Sequence, residues 1–293
     1  MTNRPPEAAQ MLDREEYVEQ AYLFRILGER LPKDMPLQEL LRQIREELLA
    51  STRLPMAVDF LRTELEHSGA CSPAMAKLSH YFSPFQTYVV REAEDERGRF
   101  DMRVALEVLR AEALYRAEKA SRQGTFLFHF ETLCRNKLRY DHGLQAIADD
   151  PIYDEDWREW ILTVRRQVGI IDFADLLYVR SEHYQSRRCR LHGADLPPEK
   201  PLLFGEREGK IALAHRGKDP LYLFAALQRH LGYPSVPRPK PSDPSSQILP
   251  QLMRRVERHE IRIKLLEEEQ REGIDITKFY RPDMPRSGDS KPP

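Results

Sequence analysis

The distribution of proline is the sequence feature that most limits what this chain can fold into. Of its 22 prolines, none lies between Pro84 and Pro151, whereas fourteen lie from Pro197 onward. Proline lacks a backbone donor and clashes with the preceding helical turn, so this distribution is typical of a helical body followed by an interrupted C-terminal third. Apolar residues recur at helical spacing in the body, as in residues 37–48. The sequence therefore predicts an all-α fold built around an irregular multi-helix domain.

Proline and glycine also divide the chain into segments. We expect a flexible N-terminus at residues 1–12, a helical body at 13–196 and a β-hairpin plus helix docked on that body at 197–233. A proline-rich linker at 234–247, a coiled-coil-like amphipathic helix at 248–272 and a disordered tail at 273–293 are expected to follow. The hairpin is predicted near residues 201–214, where two short apolar runs flank the charged, glycine-bracketed sequence GEREGK.

Composition excludes some classes of partner and compartment. Lys and Arg number 46 against 47 Asp and Glu, so no overall positive field draws the protein to nucleic acid, and that partner is disfavoured. No apolar run approaches the length of a membrane-spanning helix, and we expect no membrane partner. Three dispersed cysteines and an N-terminus without an apolar core segment predict a reducing, cytoplasmic location.

Sequence motifs of enzymes and metal sites are lacking. The chain contains no phosphate-binding loop, no GxGxxG, no GxSxG and no HExxH, so no catalytic residue and no cofactor is assigned. Cysteine–histidine pairs are scattered, and the Glu64–His67 spacing of di-iron bundles has no second copy, so no metal site is predicted. An enzyme that assembles Asp141, His142 and the acids after Asp149 is kept as the third hypothesis.

The run YVRSEHYQSRRCRLHG, residues 178–193, concentrates positive charge. Its apolar spacing predicts the second half of one amphipathic helix that begins near Phe173 and ends at Gly193, where cations favour the negative end of the helix dipole by ~0.3–1 kcal/mol each. We favour this structural interpretation, with the acidic residues of 149–159 as further partners. The alternative is an anion or nucleic-acid site formed by Arg180, Arg187, Arg188, Arg190 and His192.

Both tryptophans of the chain, Trp157 and Trp160, lie three residues apart in the acidic stretch DDPIYDEDWREW. Asp154 is placed to cap a helix there, and the two indoles would share one face. Burial in the core is the favoured interpretation. An exposed pair would instead form an acidic aromatic patch suited to a basic partner segment.

The helix predicted at 248–272 carries a coiled-coil pattern. Apolar residues and one histidine fall at alternating spacings of three and four, at Leu249, Leu252, Val256, His259, Ile263 and Leu266. Arg254, Arg255, Arg258 and Arg262 give way to Glu267, Glu268 and Glu269, an order that suits an antiparallel partner. Docking on its own body is the alternative, and pairing with a second copy or a different protein is favoured.

Together these observations predict a cytoplasmic, non-catalytic helical scaffold or adaptor protein. Its C-terminal helix would bind a protein partner or self-associate. Anion or nucleic-acid binding by the arginine run is the second hypothesis, and an unrecognised enzyme the third.

Overall fold

The structure is a computed structural model that describes residues 12–31, 36–95, 100–118, 120–193 and 197–239. The chain divides into two units, residues 1–239 and 240–293. The second unit lies outside the described residues, and with it lie most of the predicted linker, the coiled-coil-like helix and the tail. Residues 1–11 of the predicted N-terminal segment also lie outside them.

The described residues form an all-α fold, as the sequence predicted. Within these residues, β-type backbone pairing is limited to two isolated bridges, Val168 with Ile171 and Ser181 with Phe204. None of the described helices is long and apolar enough to cross a membrane. The thirteen helices assigned within the described residues are α1 (Arg14–Arg30), α2 (Leu37–Glu47), α3 (Leu54–Ser68), α4 (Ser72–Lys77), α5 (Pro84–Glu94), α6 (Met102–Ala117), α7 (Arg122–Asn136), α8 (Tyr140–Ala148), α9 (Glu155–Gln167), α10 (Phe173–Tyr178), α11 (Glu182–His192), α12 (Glu206–Ala214) and α13 (Pro220–Leu231).

Local sequence signals set many of the helix ends. At the start of α5, Ser83 and Gln86 form a reciprocal capping box, and Pro84 occupies the first turn. The Asp154 carboxylate accepts the Trp157 amide at 3.1 Å at the start of α9. Gly193, at the end of α11, takes the left-handed conformation with φ of 62°, which glycine adopts without a Cβ penalty.

The core has two regions. The first is formed by helices α1 to α6, where α1 packs along α6 and leucine is the most frequent buried residue. The second is an aromatic cluster that α7, α9, α10, α13 and the segment before α12 build together. Its rings have centroids 4.7–6.3 Å apart and belong to Phe126, Phe130, Trp157, Trp160, Phe173, Phe204 and Phe224.

The predicted β-hairpin near 201–214 is wrong, because residues Glu206–Ala214 form helix α12. Of the two glycines that predicted a turn, Gly205 precedes the helix and Gly209 lies inside it. Gly209 packs against the start of α11, where an added Cβ would lie 2.3 Å from Ser181 Oγ and 2.7 Å from His183 Cβ. The glycine therefore marks a close helix contact and not a turn.

The single helix predicted from Phe173 to Gly193 is also wrong, since it is divided into α10 and α11. Ser181 caps α11 by accepting the Tyr184 amide at 3.2 Å. Backbone hydrogen bonds between residues at this break and the segment before α12 stabilise the break. Leu203 N donates to Arg180 O at 2.9 Å, and Glu182 N donates to Phe204 O at 3.0 Å. A distant segment thus decides where the helix breaks.

The first residues of the predicted linker lie against the helical body. Tyr233 is buried and its hydroxyl donates to Glu131 at 2.8 Å and to the Phe224 carbonyl at 3.0 Å. Asn136, the last residue of α7, donates to the Pro237 carbonyl at 3.2 Å. The path of the chain is therefore fixed on the body as far as this proline.

Candidate functional site

A groove between α5 and α8 is lined by both apolar and polar side chains. It has a volume of about 320 Å³. α5 contributes four residues, and α8 contributes three together with the residue that follows it, in both cases at spacings of three, four and seven, which is one helix face. The lining consists of Pro84, Thr87, Tyr88 and Arg91 from α5, His142, Gln145 and Ala146 from α8, Asp149 just after it, and Ala76, Ser79 and Phe82 from α4 and the connection to α5.

The two helices run antiparallel along this groove. The Tyr88 hydroxyl donates to the Arg139 carbonyl at 2.9 Å, and Arg139 Nε donates to Glu92 at 2.9 Å. The C-terminal end of α5 therefore lies beside the first turn of α8. Arg91 and His142, which belong to those two ends, consequently line the same end of the groove.

Close approach of α5 and α8 depends on Gly143. A Cβ at this position would lie 3.2 Å from the Tyr88 ring and 2.6 Å from a Leu133 methyl group. A larger residue would push the first turn of α8 away from α5. Glycine here thus keeps His142, the next residue toward the helix start, beside α5.

The acidic groups around the groove are already engaged. Arg139 pairs with Glu92 and Asp95, and Arg165 Nε pairs with Asp141 at 2.6 Å. Hydrogen bonding to Arg165 lowers the pKa of Asp141. Asp149, at the other end of the groove, accepts from Gln145 and from Arg158.

Arg91 and His142, at the groove end, are in the opposite situation. Arg91 and His142 are exposed, and neither side chain forms a hydrogen bond or ion pair with another described residue. No side chain caps the start of α8, so its first amides add their partial positive charge at the same end. The groove end therefore combines the Arg91 guanidinium, the His142 imidazole and a helix N-terminus.

The predicted anion site in the arginine run is dispersed by the structure. Arg180 is buried at the break between α10 and α11, and burial lowers the pKa of its guanidinium while nearby carboxylates of α9 oppose this. Arg188 pairs with Glu199 and donates to the Pro197 carbonyl at 2.6 Å. Arg190 donates to the Ser186 carbonyl at 3.3 Å. Arg187, Arg190 and His192 are exposed, and only these three remain available on the last turns of α11.

The tryptophan pair is buried and forms no surface patch. Trp157 and Trp160 retain 3% and 2% of their exposure, and the Trp160 indole donates to the Leu176 carbonyl at 3.3 Å. The seam from Leu249 to Leu266, with His259 among its positions, lies outside the described residues.

No group of three or more His, Cys, Asp or Glu side chains within the described ranges is placed to hold a metal ion. Burial raises the pKa of Cys71 to about 12 and that of Cys134 to about 11, which disfavours the thiolate that binds metals. The side chain of His67, the histidine of the Glu64–His67 motif, bonds instead to the Thr63 carbonyl at 2.7 Å.

A buried charged network, which the sequence analysis did not anticipate, links α6, α7 and the turn before α9. Glu112 accepts from Arg116 at 2.8 Å and from His129 Nε2 at 2.8 Å, and Arg116 also pairs with Asp150. All four residues are at most 4% exposed, so no substrate reaches them. The signal available was the four-residue spacing of Glu112 and Arg116, which is equally typical of a surface pair.

Comparison with known proteins adds no relative: no protein-family model, curated protein or solved structure matches this chain.

Proposed function

We propose that the protein is a non-catalytic helical interaction protein, in which residues 248–272 pair with another chain while residues 12–239 serve as the folded platform. The observation that carries the proposal is the fixed path of residues 233–237 on the body. Tyr233 is buried, and Pro237 accepts a hydrogen bond from the end of α7. The chain after Pro239 is thus attached at one defined point, and it begins with a proline-rich stretch suited to a semi-rigid spacer.

The sequence beyond this point supports pairing by a helix. Its seam from Leu249 to Leu266 alternates in spacings of three and four, the pattern that two packed helices share. Arginines at 254, 255, 258 and 262 precede glutamates at 267, 268 and 269. This order opposes the helix dipole, so it does not favour an isolated helix. An antiparallel second copy would place arginines opposite glutamates, and we propose this arrangement for self-association.

Light scattering of the full chain and of a chain ended at Pro239 tests the proposal. We expect a dimer for the full chain and a monomer for the shortened one, at concentrations from about 1 to about 100 µM, since assembly follows mass action. The substitution Ile263→Asp places a carboxylate in the seam and is expected to give a monomer.

The matched control is Ile261→Asp, which introduces the same change two residues away and outside the seam. It is expected to leave the dimer intact. If the full chain is monomeric, affinity capture is repeated with both variants, and a protein lost with Ile263→Asp but kept with Ile261→Asp identifies a heterotypic pairing. A monomeric chain without such a protein overturns the proposed function.

A further inference from the structure

We infer that the groove between α5 and α8 binds a small organic anion, a phosphate or carboxylate joined to a compact apolar body such as one ring. This site is separate from the pairing proposed for residues 248–272 and does not depend on it. Its residues belong entirely to the described body.

The anion would occupy the end of the groove where α5 finishes and α8 begins. The Arg91 guanidinium offers a planar fork of donors that matches the oxygens of phosphate and carboxylate. The His142 ring carries an N–H donor in either protonation state. The uncapped first turn of α8 adds backbone amides and the positive end of the helix dipole. Both side chains lack partners among the described residues, so binding would not break existing ion pairs.

The rest of the groove is suited to an apolar body. Phe82 is buried at its floor, with Pro84, Ala146 and the Thr87 side chain beside it. The volume of about 320 Å³ is at the lower end of the range for ligand pockets, which limits the occupant to a small molecule. Ser79 adds a neutral hydroxyl to the lining, whereas the Gln145 amide is engaged with Asp149 and Arg165.

The surroundings argue against a nucleic acid in this groove. Carboxylates flank it at Glu92, Asp95, Asp141 and Asp149, and each is paired with an arginine or glutamine. Three of these acids, Glu92, Asp95 and Asp141, lie at the end that holds Arg91 and His142, but each is paired with Arg139 or Arg165, so a single anionic group there meets paired carboxylates only. A long polyanion would run past all four acids.

Isothermal titration of the full chain with phenyl phosphate, inorganic phosphate and phenol tests the inference. We expect phenyl phosphate to bind at least about tenfold more tightly than either fragment, because it alone uses both parts of the groove. Arg91→Gln should weaken its binding by about tenfold or more, and His142→Gln by several-fold. Ala146→Phe fills the apolar part and should abolish binding, with circular dichroism confirming that the helices are retained.

Arg187→Gln is the matched control, since Arg187 is an exposed arginine on α11, far from the groove in sequence. It is expected to bind phenyl phosphate like the parent chain. Equal affinity for inorganic and phenyl phosphate, the same loss in Arg187→Gln as in Arg91→Gln, or no saturable binding would each overturn the inference. None of these results depends on the oligomeric state, so failure here is distinguishable from failure of the proposed function.

Discussion

His129 and Glu112 are joined in the interior by a hydrogen bond of 2.8 Å between Nε2 and Oε1. Neither residue is exposed to solvent, and Glu112 also accepts from Arg116, which pairs with Asp150. Burial alone would raise the pKa of Glu112, but the Arg116 guanidinium and the His129 ring outweigh it and hold that pKa at about 2. The network therefore ties α6, α7 and the turn before α9 together through a carboxylate kept ionised in the core.

Breaking this network is expected to cost more than breaking any exposed ion pair. Glu112→Gln removes one of the two carboxylates that compensate Arg116, together with the acceptor of His129, and breaking a buried pair typically costs about 3–5 kcal/mol in free energy of unfolding. Urea unfolding followed by circular dichroism measures the change. The control is Asp59→Asn, which breaks the half-exposed Arg45–Asp59 pair and is expected to cost less than about 1 kcal/mol. Equal effects of the two substitutions would contradict a stabilising role for the network.

Acid should remove the contribution of Glu112 in a defined range of pH. Its pKa is depressed from the ordinary 4.5 to about 2 in the folded protein, so its stabilisation is present above the unfolded value and is lost as pH falls from about 5 toward 2. The difference in unfolding free energy between the parent chain and Glu112→Gln should therefore be largest near neutral pH and shrink in that range. Urea titrations at about pH 7, 5 and 3.5 test this, and a difference that stays constant would count against it.

Gly209→Ala is expected to destabilise the protein although alanine is the better helix former. The added Cβ would lie 2.3 Å from Ser181 Oγ, so α11 and α12 must separate, at a cost of about 1–3 kcal/mol. Gly28→Ala in α1 is the matched control. Its Cβ would meet nothing closer than a Leu106 carbon at 3.9 Å, and we expect a gain of about 0.5–1 kcal/mol. Thermal unfolding distinguishes the two signs.

An apolar cavity of about 90 Å³ is lined by residues of helices α1 to α6, and Val90 is one of them. Val90→Ile adds a methyl group toward this space and is expected to stabilise the protein by about 0.5–1 kcal/mol. Val89, the neighbouring residue, is fully buried and does not line the cavity. The same change at that position should overpack the core and destabilise it by about 1–3 kcal/mol. Stabilisation by both substitutions would show that the packing around α5 is loose in general.

The arginine run is expected to contribute little to polyanion binding. Because Arg180 is buried and Arg188 pairs with Glu199, a double Arg187→Gln and Arg190→Gln variant removes the exposed arginines that remain on α11. Its retention on heparin at about 0.15 M salt should match that of the parent chain. Strong retention of the parent that disappears in the variant would favour the nucleic-acid hypothesis over pairing through residues 248–272.

A feature of this fold could be predicted from the sequence when the residues that determine it lie close together along the chain. Helix starts at Ser83 and Asp154 and the end at Gly193 were predictable, because capping involves residues three or four positions apart. The helix at 206–214 and the helix break before Ser181 were not predictable from local sequence. The two segments fix each other, through the close contact of Gly209 with Ser181 and through backbone hydrogen bonds between the break and residues 203–204.

The candidate site follows the same rule. The faces of α5 and α8 that line the groove are each visible as residues at helical spacing, but they lie more than fifty positions apart. Their meeting depends on Tyr88 bonding to Arg139 and on the absence of a side chain at Gly143. The local sequence pattern therefore singled out His142 but not Arg91, which lines the same groove.

The aromatic cluster has a consequence for how the protein is made. Synthesis proceeds from the N-terminus, and Trp160 emerges 44 residues before Phe204, whose ring it contacts. It emerges 64 residues before Phe224, which packs on Phe130 and Phe173 of the same cluster. At roughly 5–20 residues per second, the nascent chain carries both indoles without these neighbours for about 3–13 s. During that interval the growing polypeptide presents its largest apolar side chains to solvent or to a chaperone, and the burial of this half of the core must wait for its last helices.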